Sequence, residues 1–303
     1  MKITSFLRIS LPAIAALIIS VTGCTKTGTP PPPVHDTVTI IKHDTTIKND
    51  TFVQKVDTPN LKNGLLVYLK FNGNFADSSG NNNPTQAVNG AMLVNDERGV
   101  ANSAFGGTGN GERVLVTNNG SIKFDTAFSL SYHVMITNYN YTDFVTMVQN
   151  TNGEGVTFGT GVLPGANHVD FTVMDSTATC SDIINPGVNS LIDTSNFVIQ
   201  PNIWYSVICI FHKGTTQIYV QGNLVSQLSG ANSTVPICPS AKVIVGGWWD
   251  GAPSNSLNGK LDELRLYNRV LSAREVALLS GTYQSATTKA HGGLQSGNGS
   301  SFR

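Results

Sequence analysis

Charge is scarce in this 303-residue chain: 19 Lys and Arg balance 19 Asp and Glu, and the four types together make up only 13% of it. The formal net charge is +0. No basic cluster occurs, so the electrostatic attraction that nucleic acid or an anionic membrane surface requires is missing. Paired carboxylates at strand spacing, of the Glu-x-Asp-x-Glu kind that would set two acids on one face for glycoside cleavage, are also absent. Glu97, Glu112, Glu154, Glu263 and Glu275 each stand in a different segment. Only Glu263 falls in a confident strand reading, and its i±2 neighbours are Leu261 and Arg265. Neither a Ser-His-Asp order, a zinc-ligand spacing nor a glycine loop for phosphate can be found.

Long apolar runs are lacking as well, with one exception at the start. Lys2 and Arg8 precede an apolar stretch from Ile9 to Val21, which stops at Val21-Thr22-Gly23-Cys24. This is the layout of an export signal, and it is too short for a stable transmembrane anchor. Its last four residues resemble the lipobox of bacterial lipoproteins. That resemblance implies that residues 1–23 are a signal peptide, that Cys24 is acylated, and that the chain is held on a membrane by its lipid. The place implied is the cell envelope, at the outer membrane, on either its periplasmic or its surface-exposed side. Several acyl chains on one residue exceed what stable anchoring needs, at about 0.8 kcal/mol per buried methylene.

Residues 24–59 read as a flexible stalk. Thr25 to Pro33 is Thr, Gly and Pro, followed by recurring Asp-Thr pairs at Asp36-Thr37, Asp44-Thr45, Asp50-Thr51 and Asp57-Thr58. Their spacing is too irregular for heptads, so an extended spacer is preferred to a self-associating segment. From residue 60 to 283 short apolar runs alternate with Asn and Gly clusters, the pattern of an all-β sandwich or barrel. Strands are expected at Leu65 to Phe71, Phe128 to Ile136, Phe144 to Val148, Val169 to Met174, Trp204 to Phe211, Gln217 to Val220, Lys242 to Val245 and Leu261 to Tyr267. One short C-terminal helix is expected over Ser272 to Gly281. Ser272 and Glu275 form a capping box there, Leu271 and Val276 a hydrophobic staple, and Gly281 the left-handed stop. Residues 284–303 are Ser, Gly, Thr and Gln with almost nothing to bury, and read as a disordered tail.

Once Cys24 carries lipid, Cys180, Cys209 and Cys238 remain, an odd number for a compartment where disulfides persist. Cys209 lies in the apolar run Trp204 to Phe211 and reads as a small core hydrophobe. Cys180 and Cys238 occupy polar, Pro-flanked segments and are the expected pair. Two unpaired thiols are the alternative.

Gly64-Leu65-Leu66-Val67-Tyr68-Leu69-Lys70-Phe71-Asn72-Gly73-Asn74 with Asp77-Ser78-Ser79-Gly80, and Asn258 through Arg269, resemble the opening and closing strands of a known domain type. It is the laminin-G-like jelly roll of the concanavalin A-like lectin/glucanase superfamily. Asn89-Gly90-Ala91, Gly99 to Phe105 and Trp204-Tyr205-Ser206-Val207 match its interior landmarks in order. The resemblance implies an all-β, two-sheet antiparallel jelly-roll sandwich in which the first and last strands pair. Alternation puts Asp262 on the core face with Leu264 and Leu266, where it needs a partner. The implied pairing brings Asp262 to the loop holding Asn72 and Asp77, an oxygen-rich set of the kind calcium accepts. A structural calcium ion on Asn72, Asp77 and Asp262 is one expectation; plain turn hydrogen bonding by the two aspartates is the other.

Trp248, Trp249 and Asp250 form the remaining candidate surface. Adjacent tryptophans on an extended segment point to opposite faces, so one is expected in the core and one outside. An exposed indole beside Asp and Asn suits sugar stacking, although both rings packing on the hairpin is the competing arrangement. Tyr139-Asn140-Tyr141 is a weaker aromatic patch. These readings converge on a non-catalytic cell-envelope binding module for carbohydrate recognition or adhesion, with a membrane anchor and with no nucleic acid partner. A structural or protein-interaction module and a cryptic polysaccharide hydrolase or lyase are the rivals.

Overall fold

Strict alternation builds the central strands. From Phe128 to Ile136 the residues Phe128, Leu130, Tyr132, Val134 and Ile136 point inward, while Ser129, Ser131, His133 and Met135 point away from the core. The computed structural model describes residues 59–138, 142–148, 156–162, 167–174, 190–230, 234–238, 240–248 and 250–282. Cys24, the stalk as far as residue 58, Tyr139 to Tyr141, Cys180, Trp249 and the tail lie outside the described residues.

In chain order the described strands are β1 (Leu65–Leu69), β2 (Thr85–Val88), β3 (Met92–Val94), β4 (Ala104–Thr108), β5 (Arg113–Thr117), β6 (Ala127–Ile136), β7 (Thr142–Val148) and β8 (Phe158–Val162). They continue with β9 (His168–Met174), β10 (Ser190–Val198), β11 (Tyr205–His212), β12 (Thr215–Val220), β13 (Asn223–Ser229), β14 (Lys242–Val245) and β15 (Asn258–Tyr267), before the helix α1 (Ala273–Leu279). One sheet has eight strands in the order β13-β12-β11-β6-β15-β4-β3, with β1 also paired to β15. The other has seven, in the order β10-β9-β8-β7-β14-β5-β2. Each strand pairing is antiparallel, so the two layers form the jelly-roll sandwich that the closing and opening strands implied.

The core fills the space between the sheets. Phe128 of β6 stacks on Phe211 of β11 at 5.6 Å and on Phe158 of β8 at 5.1 Å, so one aromatic row ties both layers together. Burying each such ring contributes about 1.5–3 kcal/mol. On the outer side of the eight-stranded sheet, Val276 and Leu279 of α1 cover Ile208, Ile210, Tyr267 and Leu271. The helix starts as expected: Ser272 Oγ accepts the Glu275 amide, and the Glu275 carboxylate accepts the Ser272 amide at 2.8 Å. Gly281 takes the left-handed turn at φ +69°.

β1 and β4 share one edge of β15: β4 lies beside Asn258 to Leu261, and β1 beside Leu264 to Tyr267. Between those two halves β15 is bulged, with Glu263 at φ 54°. The bulge corrects the expected orientation of Asp262. Leu261 and Leu264 both enter the core, so the period of two is broken between them. Asp262 instead stands across from His133, whose neighbours Tyr132 and Val134 point inward, and both residues face outward.

Candidate ligand-binding face

β14 ends at a turn that only glycine fits, since a side-chain carbon on Gly246 would lie 2.5 Å from the Phe105 ring. The chain then runs over the outer face of the seven-stranded sheet. There Trp248 is half-buried, packed with Leu115, Val148, Val156, Met174 and Ile244. Its ring covers Gly159 of β8, where an added methyl would approach Cζ3 to 3.3 Å. Arg113, reaching up from β5, donates from Nη1 to the Trp248 carbonyl at 3.1 Å. A methyl on Gly251 would meet that guanidinium at 2.4 Å, so the loop rests directly on it. Burial lowers the Arg113 pKa, and nearby Asp250 opposes that shift. Asp250 itself is exposed, with Oδ1 accepting the Ala252 amide at 2.9 Å. Trp248 and Asp250 therefore occupy one anchored loop, with the indole neither in the sandwich core nor fully free.

Next to Trp248 the outer face carries two aspartates that sequence reasoning passed over. Asp143 of β7 and Asp170 of β9 both stand directly across from Gly161 of β8, one on each side. Gly161 is obligatory here: β7 is bulged at this point, and a methyl would fall 2.2 Å from the Thr142 carbonyl oxygen. Asp143 and Asp170 are 6% and 8% exposed, deep for acids. Burial raises the Asp170 pKa to about 7, against opposing hydrogen bonds from its own amide, Thr172 and the Gly161 amide. The legible signal was the Gly-x-Gly of β8, flanked by two strands that each carry an outward Asp.

The calcium set does not assemble. Asp77 is a fully occupied acceptor: Oδ1 takes the amides of Tyr68 and Ser79, and Oδ2 takes Ser79 Oγ and both the amide and Nδ2 of Asn83. These donors engage both carboxylate oxygens within the turn. Asn72 and Asp262 do come together, in a polar cavity of about 130 Å³ shared with Asp96, Glu97, Arg98, His133 and Glu263, but Asp77 does not line it. Among the described residues no group of three or more His, Cys, Asp or Glu side chains is placed to hold a metal ion. Asp262 Oδ1 accepts the Glu263 amide at 2.7 Å, and burial, with Glu263 and Asp96 adding to it, raises its pKa to about 7. Of the cysteines, Cys209 is free and fully buried, where burial pushes its thiol pKa up, and Cys238 is disulfide-bonded.

Two antiparallel sheets, an outer face bearing an anchored aromatic loop and a short cap helix define a lectin-like sandwich. Residues 105–277, more than half of the chain, match the family profile described as the concanavalin A-like lectin/glucanases superfamily, and the chain belongs to that superfamily. No curated protein sequence matches the chain. Among solved structures, the binding domain of Paraclostridial Mosquitocidal Protein 1 is similar with a TM-score of 0.56 at 17% identity, over 74% of this chain and 53% of that one. The binding domain of Botulinum Neurotoxin DC in complex with SialylT is similar with a TM-score of 0.54 at 15% identity, over 74% of this chain and 53% of that one. This chain thus spans about half the length of the solved structures it matches. At such identities the likeness concerns the fold.

Proposed function

We propose that the chain is an exported, lipid-anchored binding module that recognises carbohydrate outside the cytoplasm and performs no chemistry on it. The observation that carries this reading is the Trp248 indole, braced from below by Gly159 and the Arg113-supported loop, and flanked by the exposed Asp250. A flat, partly exposed apolar ring beside an exposed carboxylate is what a pyranose needs, one face to stack and a neighbouring acceptor for its hydroxyls. Support also comes from the neurotoxin binding domain of like fold, which was solved with SialylT. The anchor rests on the lipobox at Cys24, and the stalk would hold the sandwich away from the membrane.

A glycan array probed with the full chain and with Trp248→Ala tests the reading. Binding to a defined subset of glycans, lost by at least tenfold in a variant with an unchanged melting transition, is expected for a stacking residue. Capture of no glycan, with proteins captured instead, would transfer the module to the protein-interaction class. Asp143 and Asp170 give a specific reason for a second measurement, since two carboxylates across one strand could serve acid–base chemistry. Both are buried, so binding is the preferred reading, and reducing-sugar release from any bound polysaccharide would reverse that preference.

A further inference from the structure

At the opposite end of β14 from the Trp248 loop lies a cavity of about 350 Å³. Asn118, whose amide donates to the Ala241 carbonyl at 3.2 Å just before β14 begins, lines it together with Gly120, Ile122, Lys123, Phe124 and Ile237. Ligand cavities run from about 300 to 1,000 Å³ with mainly apolar walls, so this one has the size and lining to take a small molecule. Ile122 is fully buried, and Phe124 is half-buried with its ring stacked on Phe128 at 4.6 Å. The aromatic row of the core therefore continues outward and ends at the cavity.

Both walls are held by hydrogen bonds. In the loop between β5 and β6, Asn118 Oδ1 accepts the amides of Gly120 and Ile122 at 2.8 and 3.0 Å, and Asn118 Nδ2 donates to the Ile122 carbonyl at 3.1 Å. The segment carrying Ile237 is tied to this loop by the Val235 amide, which donates to the Asp125 carbonyl at 3.0 Å. Thr157 Oγ1 fixes it a second time, donating to the Pro236 carbonyl at 2.8 Å. Ile237 itself stands between Pro236 and the disulfide-bonded Cys238. A cavity built in this way is formed before a ligand arrives, so binding carries little ordering cost.

Few polar groups remain to meet a ligand, and the charged one is positive. Lys123 is the one charged residue among the described lining residues, and it is exposed. Its ammonium has no ion-pair or hydrogen-bond partner among the described residues. Asp125, the acid two positions on, does not line the cavity and turns Oδ1 to the Thr126 amide. A lysine lays its methylenes along apolar surface and keeps its ammonium in water, which sets a positive head at the rim of an apolar recess. We propose that this cavity binds a small amphipathic carboxylate, with the hydrocarbon part between Ile122, Phe124 and Ile237 and the carboxylate at Lys123. The site is separate from the Trp248 face and does not depend on the carbohydrate reading. The apolar walls supply most of the affinity, and the single charge orients the ligand and selects against amines.

Calorimetric titration of the full chain with phenylbutyrate, phenylbutanamide and phenylbutylamine tests this, since the three share one hydrocarbon and differ in charge. Expected is one saturable site for the acid, with the amide about fivefold weaker, the upper end for an ion pair at a solvated rim, and the amine weaker still. High salt should narrow the gap between acid and amide. Lys123→Met, which keeps the apolar stem, should bring acid and amide to equal affinity with an unchanged melting transition. Phe124→Leu should weaken all three probes, and Trp248→Ala should weaken none. Equal binding of acid, amide and amine by the wild type would overturn the proposal, as would a preference for the acid that survives in Lys123→Met. Absence of saturable binding by all three at millimolar concentration would show that the cavity takes no ligand of this class.

Discussion

Two buried carboxylates show how opposite environments produce opposite pH behaviour. Glu275 receives the Arg269 guanidinium on both oxygens, at 2.8 and 2.6 Å, together with the Ser272 amide at 2.8 Å. The Arg269 hydrogen bonds are the main cause that lowers its pKa from 4.5 to about 2, against the effect of burial. A carboxylate depressed in the folded state stabilises the fold above its unfolded value and loses that contribution as pH falls through the folded one. Glu275→Gln should therefore cost roughly 1–3 kcal/mol at pH 7, the scale of hydrogen bonds to a charged group. In thermal unfolding the gap to wild type should close between pH 4.5 and about 2. A gap that stays constant over that range would mean that packing, not charge, is what the substitution removes. Asp262 has the reverse sign, because burial raises its pKa from 3.8 to about 7. Its folded form binds a proton more tightly than the unfolded chain does, so its contribution is most favourable below 3.8 and is lost as pH rises through 7. Asp262→Asn should accordingly become more stable relative to wild type as pH is raised from 4 to 8. Melting temperatures that keep a fixed difference across that interval would contradict the buried-acid assignment.

At the scale of the strand, irregularities position the chemistry. The bulge in β7 presses the Thr142 carbonyl over Gly161 and so sets Asp143 and Asp170 on either side of it. Gly161→Ala must push that backbone away, and a loss of about 2 kcal/mol or more in chemical denaturation is expected, the scale of overpacking in a tight interior. An unchanged denaturation midpoint would show that β7 yields easily and that the bulge is not held by contact. The same feature explains what could be read in advance. β6, β9, β11 and β14 were legible because β-branched and aromatic residues mark them locally. β8 reads Phe-Gly-Thr-Gly-Val and β4 Ala-Phe-Gly-Gly-Thr, and neither was expected as a strand, although Ala104-Phe105 fell within a family landmark, because their glycines answer to neighbouring strands instead of local preference. Asp262 was placed on the wrong face because a bulge at Glu263 cannot be seen in alternation alone. Trp248 could be singled out from its own neighbours, whereas Asp143 and Asp170 gain meaning only through their common partner, Gly161.

For the molecule as a whole, the weak point is closure, since β1 must stay on the bulged half of β15. Their register joins Leu65 to Tyr267, Tyr68 to Arg265 and Leu69 to Leu264. Arg265 also stacks over the Tyr68 ring at 4.1 Å, and the Tyr68 hydroxyl donates to Glu263 at 2.6 Å. On its other side β1 is covered by the Asp77 turn: Asn81 Nδ2 and Asn83 Nδ2 both donate to the Leu66 carbonyl, while Asp77 accepts the Tyr68 amide. This polar clasp supplies the edge with the donors and acceptors that a further strand would otherwise provide. Both Asp77 oxygens already accept hydrogen bonds within it, and on that basis the clasp is expected to hold without an ion. Adding chelator to the full chain should therefore leave the melting temperature unmoved. Asp77→Ala should lower it, because the amides of Tyr68, Ser79 and Asn83 lose their acceptor together, at about 1–3 kcal/mol for each donor left buried and unpaired. For a domain of this size each kcal/mol corresponds to about 2–4 °C. A chelator-induced drop of several degrees in the wild type, absent from Asp77→Ala, would show that a metal fastens the first strand and that the hydrogen-bonded clasp is an incomplete account of closure.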